Sequence, residues 1–369
     1  MIMYERVKAQ KEIVLQYGTY IVVYMISYML SRAGFYYWAG CFLGVEALFI
    51  YLLQYQKTKN LVDLKGLFTL AWVGGQGIAC LQLSKLQTDW QWMTWACFFL
   101  IYIGFGIGYG KNHYCMTEET EELEKDSVYA KRLLICICGL AMVSVACFVL
   151  EAVVVGFVPL FSDKPHAYSY FHVSGVHYFT ISCILIPAIT VLYWKMCEGW
   201  KKSVIVLLLV CNVIAIAIPV LCVSRFQLLF AVGFAVVTYV MVNKGIKLRT
   251  ILILLCIMVP VYVLLTVARN HDVEYLNGIF EMKNSQMPIF VTQPYIYVAN
   301  NFENFNCMVV QLTEHTHGLK MLFPVFALTG LKFIYPHLVS FPAYITKTEL
   351  TTLTMFYDAS YDFGIWGVF

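Results

Sequence analysis

Nine apolar runs, each about 20 residues long, divide most of this chain and limit its fold more than any other feature. In a bilayer, a helix is the only single segment that satisfies its own backbone hydrogen bonds, so each run predicts a membrane-spanning helix. Charged residues make up only 13% of the chain, against about a quarter in soluble domains, which excludes a water-soluble globule. The sequence therefore predicts an all-α, polytopic transmembrane helical bundle, one integral membrane domain over residues 1–369. The nine runs cover residues 14–31, 34–53, 66–84, 90–109, 133–157, 176–194, 203–223, 226–242 and 250–268.

Lysine and arginine alternate between the two sides of these runs and give the orientation. The N-terminal segment and the connections after runs two, four, six and eight hold sixteen of them, whereas the other short connections hold four. Because basic residues stay on the cytoplasmic side, the N-terminus is expected in the cytoplasm. The longer outer connections are then residues 158–175 and 269–361.

The large outer segment carries its own pattern. Between Tyr295 and Leu312, apolar residues recur at helical spacing, and asparagine and glutamate fill most of the other positions. This pattern predicts an amphipathic helix that lies on the outer leaflet. Beyond Asp362, residues 363–369 are apolar, and the sequence is expected to stop just as a tenth span begins.

Charged residues at membrane depth are candidates for function because they are costly there. Glu46 and Glu151 lie inside apolar runs, where a structural hydrogen bond between helices is the alternative. Arg225 and Arg269 lie at the outer ends of neighbouring runs. Two guanidinium groups at one depth suit a diphosphate. For either arginine alone, an interfacial anchor is the alternative.

Seven of the eight histidines fall on the expected outer side, among them His172, His177 and His337. Histidine is the usual proton acceptor near neutral pH, although a plain surface role is the alternative for each of them. His315 and His317 give only a weak metal signal, so no metal is predicted. The small net charge of +3 gives no support for nucleic acid as a partner.

Four short elements follow one another in a fixed order along the chain. They are residues 156–161 with His177-Tyr178, then Ser224-Arg225, then Arg269, and finally Tyr357-Asp358 through Asp362-Phe363-Gly364 to Gly367. Together they resemble the bacterial oligosaccharide repeat-unit polymerases, the Wzy-type family that builds O-antigen and capsule. One difference is that Thr348-Glu349-Leu350-Thr351 stands where family members usually have an asparagine-threonine pattern.

The resemblance implies a glycosyltransferase of GT-C-like architecture in the bacterial cytoplasmic membrane. Such an enzyme transfers a glycan from undecaprenyl pyrophosphate to a sugar hydroxyl at the outer face, and it needs no cofactor. The lipid-linked oligosaccharide, the bilayer and a chain-length regulator protein are the expected partners.

The resemblance also suggests roles for single residues. Developing diphosphate charge calls for cations, and the acceptor hydroxyl calls for a base. The candidate substrate-binding residues are Arg225, Arg269, His172, His177 and Glu151. The candidate catalytic residues are His337, Asp358 and Asp362, with His337 favoured as the base and His172 and His177 as further candidates for that role.

Two other functions compete with the polymerase. An O-antigen ligase would share the outer arginines but use a different acceptor. A polysaccharide flippase would line a central path with polar groups across several spans. Polarity is instead concentrated in one large outer segment, which favours a site at the membrane surface.

Overall fold

The computed structural model describes residues 2–116, 125–162, 167–173, 175–199, 201–243, 245–267 and 273–368. Over these ranges the regular structure is helical, which confirms the all-α prediction, and one isolated bridge joins Ser84 to Met282. The helices are α1 (Ile2–Arg32), α2 (Tyr36–Thr58), α3 (Leu64–Thr69), α4 (Gly75–Ala79), α5 (Trp92–Met116), α6 (Ser127–Val155), α7 (Ala167–Tyr170), α8 (His177–Ile181), α9 (Ile186–Met196), α10 (Lys202–Leu221), α11 (Arg225–Asn243), α12 (Leu248–Val267), α13 (Val273–Ile279), α14 (Ile289–Gln311), α15 (Phe323–Leu328), α16 (Leu331–Ile334) and α17 (Tyr357–Phe363).

Shorter helical turns connect several of these elements. A π-helical turn, Leu70–Gly74, joins α3 to α4, so residues 64–79, which include most of the third apolar run, form one continuous helix with a π-helical turn inside it. The 3₁₀ turns are Pro159–Phe161, Ser182–Leu185, Pro336–Leu338 and Gly364–Val368.

Six helical stretches among the described residues are long and apolar enough to cross a membrane. They correspond to six of the nine expected runs, and α12 contributes a shorter apolar helix, Leu248–Leu264. By the length and composition of these helices, the chain is a helical membrane protein. The six stretches are Tyr36–Thr58, Trp92–Tyr109, Ser127–Val155, His177–Met196, Lys202–Leu221 and Arg225–Asn243.

Contacts between residues group the chain into two compact units. The first unit contains Met1–Lys59, Asp63–Glu118 and Asp272–Phe369. The second unit contains Asn60–Val62 and Glu119–His271.

An aromatic core holds the first unit together. The ring of Tyr20 lies 4.3 Å from that of Tyr102, centroid to centroid, and Trp95 lies 5.4 Å from Tyr24 in an edge-to-face contact. Such ring pairs add to the stabilisation that comes from burial alone. These ring contacts hold α1 against α5.

In the same unit, glycine residues allow the backbones of α2 and α4 to pack in close contact. A Cβ on Gly40 would lie 2.5 Å from the carbonyl oxygen of Gly77, and a Cβ on Gly77 would lie 2.9 Å from the amide nitrogen of Gly44. Small residues let helix backbones meet in this way. The α2–α4 seam therefore has no room for a Cβ at Gly40 or Gly77, whereas one on Gly44 would meet nothing within 4 Å.

The predicted amphipathic helix exists as α14, but its polar residues do not face solvent. Asn300, Glu303, Asn304 and Asn306 are all buried, which corrects the expectation of a polar face in water. Two loops of the first unit, residues 82–91 and 344–352, cover that side of the helix. The Nδ2 of Asn304, for example, donates to the carbonyl oxygens of Leu350 and Thr352, 2.8 Å away in each case.

The second unit is built from α6, α9, α10 and α11, with small side chains at the contacts. Ala141, Ala215 and Ala231 are buried, as is Ile186 at the start of α9. Leu160, in the connection after α6, packs in one cluster with Val223, in the α10–α11 turn, and Cys222, at the end of α10, lies close enough to Glu151 to interact with its charge. The end of α6, the start of α8 and the α10–α11 turn therefore lie at the same end of this unit.

Candidate functional site

A carboxylate and an imidazole meet in the second unit. Glu151 lies one turn before the end of α6 and is completely buried, whereas His177, the first residue of α8, has 28% of its side chain exposed. The Nδ1 of His177 lies 3.1 Å from Oε1 and 3.2 Å from Oε2 of Glu151. The sequence singled out both residues but did not show that they are partners.

Local structure fixes this pair. Gly156, with a φ of +81°, ends α6 in the left-handed region that favours glycine and turns the chain back toward α8. The backbone N–H of Val173 donates to Oε1 of Glu151 at 2.9 Å, which ties the connection to the carboxylate. In the same connection, the ring of Phe171 packs against that of Phe148 on α6, with 5.6 Å between the ring centres.

The geometry defines what the imidazole can do. An ionised carboxylate only accepts hydrogen bonds, so Nδ1 of His177 carries the proton in this contact. In a neutral imidazole with this tautomer, Nε2 is the unprotonated nitrogen and can accept a proton from a hydroxyl group. The negative charge of Glu151 would stabilise the imidazolium that results.

Arg225 begins α11 at the same end of the second unit. Its side chain is half-buried, and the guanidinium carbon lies 5.3 Å from the centre of the Tyr262 ring. The preceding turn is tight, because Val223 has a φ of +53° and the N–H of Ser224 donates to the Pro219 carbonyl at 2.8 Å. The first N–H groups of a helix attract anions, so a guanidinium at this position adds to an existing preference.

Of the two remaining predicted substrate-binding residues, the structure describes only one. Arg269 lies outside the described residues, so the arginine pair stays a prediction. His172 is exposed in the connection between α7 and α8, and its backbone N–H donates to the Tyr170 carbonyl at 3.1 Å.

The first unit contains the three residues expected to be catalytic, and Asp362 is the most enclosed of them. It is completely buried, and it accepts hydrogen bonds from the Thr316 hydroxyl and from the backbone N–H groups of Lys320 and Met321, at 3.0 and 2.8 Å. A carboxylate with these three donors and no exposed surface cannot take a proton from a substrate without losing a contact. Its position indicates an anchor that fixes residues 316–321.

Asp358 is accessible and lies beside a lysine. Its side chain is 55% exposed, and Oδ1 is 3.7 Å from Nζ of Lys320. That ammonium group also lies 4.6 Å from the centre of the Tyr361 ring and 5.7 Å from the centres of the Phe341 and Tyr357 rings. Burial raises the pKa of Tyr361 to about 12, so its ring stays neutral and attracts the cation.

His337 lacks an orienting partner of the kind that His177 has. It is exposed in the 3₁₀ turn Pro336–Leu338, and its ring lies 5.9 Å from that of Tyr335. Over the described ranges, no carboxylate forms an ion pair with it. His337, which the sequence favoured as the base, therefore has no carboxylate partner among the described residues that would fix which ring nitrogen carries the proton.

Sequence reasoning missed Glu303 as a site residue. This carboxylate is buried on α14 and accepts hydrogen bonds from the Thr88 hydroxyl at 2.5 Å and from the indole N–H of Trp90 at 3.1 Å. Burial raises the pKa of Glu303, and these hydrogen bonds oppose the rise. An acidic residue between asparagines on an otherwise apolar helix was the available signal.

In the part of the chain that the structure describes, no three histidine, cysteine, aspartate or glutamate side chains come together as a metal ion requires. Comparison of the chain with protein-family models, curated proteins and solved structures gives no match.

Proposed function

We propose that this protein is a polymerase of lipid-linked oligosaccharide repeat units. It transfers a glycan from undecaprenyl pyrophosphate to a sugar hydroxyl at the outer face of the bacterial cytoplasmic membrane. The observation that carries the proposal is the Glu151–His177 pair, at the end of α6 that packs beside the α10–α11 turn, after which Arg225 begins α11. A base and a cation at one end of a membrane-embedded unit are what this transfer requires.

The reaction begins with the acceptor hydroxyl. Nε2 of His177 takes the hydroxyl proton while the oxygen attacks the anomeric carbon of the donor sugar. The bond from that carbon to the phosphate oxygen breaks, and its electron pair leaves with the diphosphate. Glu151 stabilises the imidazolium ion, and the proton later passes to water.

Arg225 acts on the leaving group. Its guanidinium, together with the N–H groups at the start of α11, stabilises the charge that develops on the diphosphate. In this mechanism, the role of base moves from His337 to His177, because only His177 has a carboxylate that fixes its tautomer.

One observation favours transport as a second candidate function. Glu46 is buried in α2, inside a candidate span, and its Oε1 has no hydrogen-bond partner among the described residues. A carboxylate of that kind suits a flippase that moves protons or sugars across the membrane. It is a single residue, whereas a transport path requires several.

The test uses cells that assemble the matching polysaccharide and carry either the wild-type protein or a variant. We expect His177→Ala to abolish the polymer ladder, so that lipid-linked single repeat units accumulate outside the cytoplasm. Met142→Ala is the control, because it removes an exposed side chain from α6, the helix that carries Glu151, and it should leave the ladder intact.

Three outcomes would contradict the proposal that this protein is a polymerase. A normal ladder with His177→Ala would remove the proposed base. Repeat units that accumulate inside the cell would indicate a flippase. Complete polymer that fails only to reach its final acceptor would indicate a ligase.

A further inference from the structure

An apolar hairpin follows α14 in the first unit. It consists of the two short helices α15 and α16, joined by a turn at Gly330, whose φ is +76°. Among residues 321–335 only Lys332 is charged. Most of the large apolar side chains of the hairpin are exposed, led by Leu328 at 88% and Phe333 at 78%. So much apolar exposure in one place indicates a surface that contacts something other than water.

The turn of the hairpin satisfies polar groups within the hairpin itself. The hydroxyl of Thr329 donates to the Val325 carbonyl at 2.7 Å, and its backbone N–H donates to the same carbonyl at 2.9 Å. On the other side of the turn, the N–H of Phe333 donates to the Gly330 carbonyl at 3.0 Å. In an apolar medium each unsatisfied polar group is costly, so this pattern suits a segment that leaves water.

The hairpin begins close to one end of a spanning helix. Asp362 on α17 holds the start of the hairpin, because it accepts a hydrogen bond from the backbone N–H of Met321 at 2.8 Å. The 3₁₀ turn after α17 contains Val368, which belongs to the same apolar cluster as Trp95 of α5. Trp95 lies in the first turn of the candidate span Trp92–Tyr109. The exposed hairpin is therefore continuous with a part of the unit that meets the bilayer.

The hairpin is too short to cross a bilayer. With six residues, α15 is about 9 Å long, whereas a span needs about 20 residues. Helices that lie at a membrane surface bury their apolar face to a depth of about 5–10 Å, which matches this length.

The polarity of the hairpin favours lipid over a protein partner. Protein interfaces form about one hydrogen bond per 100–200 Å². In residues 321–331 the one polar side chain is that of Thr329, and its hydroxyl is already bonded to Val325. Acyl chains ask for no hydrogen bonds, so they fit this surface without leaving a polar group unsatisfied.

We infer that the α15–α16 hairpin dips into one leaflet of the bilayer, as a second kind of membrane contact beside the spanning helices. Leu328 and Phe333 lie among the acyl chains. Tyr335 and Trp366, both exposed, lie at the headgroups, where tyrosine and tryptophan concentrate. The partner is ordinary bilayer lipid, so the inference does not depend on the proposed function.

Electron paramagnetic resonance tests the inference on the full chain, with one copy in each phosphatidylcholine nanodisc. Because the chain has thirteen cysteines, the nitroxide label is introduced as a noncanonical amino acid. The measurement is the ratio of label collisions with oxygen, which concentrates in lipid, to collisions with a water-soluble nickel chelate. We expect oxygen to dominate at positions 328 and 333, as at position 45 on the exposed face of α2, and nickel to dominate at the exposed loop position 285.

A charge at the turn should expel the hairpin from the bilayer. Leu328→Asp should shift the ratio at position 333 toward that of position 285, because a carboxylate is costly among acyl chains. The exposure of Leu328 means that the change removes no packing contact, and gel filtration checks that the protein stays folded. Leu328→Met is the matched control and should leave the ratio unchanged.

Three outcomes would overturn the inference. Nickel that dominates at position 328 in the wild type would show a hairpin in water. Few collisions with either reagent would show that protein covers the hairpin. An unchanged ratio at position 333 in Leu328→Asp would show that apolar contact with lipid does not hold the hairpin in place.

Discussion

Glu151 in the second unit and Asp362 in the first are both carboxylates with no exposed surface, yet they are held in different ways. Glu151 contacts an imidazole that reaches solvent, whereas Asp362 is enclosed by a hydroxyl and two backbone N–H groups. Burial alone therefore does not distinguish a chemical role from a structural one. What distinguishes them is whether the partner can carry a proton to the surface.

The strongest test of this difference is Glu151→Gln. The glutamine amide can donate to Nδ1 of His177, which would move the proton to Nε2 and leave the wrong tautomer for a base. By analogy with catalytic triads, the rate of polymer formation should fall about 10⁴-fold while the protein stays folded. The measurement is the initial rate with a purified lipid-linked repeat unit. A loss of less than about ten-fold would indicate that the pair is structural, like Asp362.

Replacing Asp362 should affect stability and not chemistry. Asp362→Ala leaves the backbone N–H groups of Lys320 and Met321 without an acceptor, at a cost of about 1–3 kcal/mol for each buried group left unsatisfied. The free energy of unfolding in detergent should fall, and the activity per folded molecule should stay near that of the wild type. Normal stability together with lost activity would instead support a catalytic role for Asp362.

Glu303 extends the comparison to a third buried carboxylate. Burial raises its pKa in the folded state, so the folded protein holds this proton more tightly than the unfolded chain. Its stabilising contribution is thus present at acidic pH and is lost as the pH rises above the ordinary carboxyl range. Melting temperatures from pH 4 to 8 should fall more steeply for the wild type than for Glu303→Gln. Parallel curves would show that Glu303 does not cause the slope.

Asp358→Asn should have the smallest effect. Its ion pair with Lys320 is more than half exposed on the aspartate side, and exposed pairs contribute about 0–1 kcal/mol. Lys320 also keeps its contact with the Tyr361 ring. Unfolding and polymer formation should both stay close to the wild-type values. A large loss of activity would make Asp358 a base that competes with His177.

Hydropathy predicted most helices of this protein because the spanning length and the apolar composition are local properties. Residues 133–157 were expected to be helical, for example, and α6 runs from Ser127 to Val155. The third run was harder to predict, because glycines 74, 75 and 77 allow the π-helical turn and the short α4. Periodicity also predicted the helix α14. It could not predict which residues cover the polar side of that helix, because the covering loops come from distant parts of the chain.

The candidate site was only partly predictable for the same reason. Glu151 and His177 stand 26 positions apart, and no spacing rule joins the end of one helix to the start of another across a connection. The sequence shows that residue 362 is an acid but not the N–H groups that surround its carboxylate, so a catalytic role for Asp362 stays a prediction. Arg225 could be placed at a helix end because a basic residue between two apolar runs is visible directly.

The glycine seam between α2 and α4 constrains how the first unit can change. Where Gly40 meets Gly77, backbone contacts backbone, so no change of rotamer can make room for an added Cβ. Substitutions can therefore change the exposed apolar surface one residue at a time, whereas Gly40 and Gly77 cannot be replaced by a larger residue unless the backbone shifts.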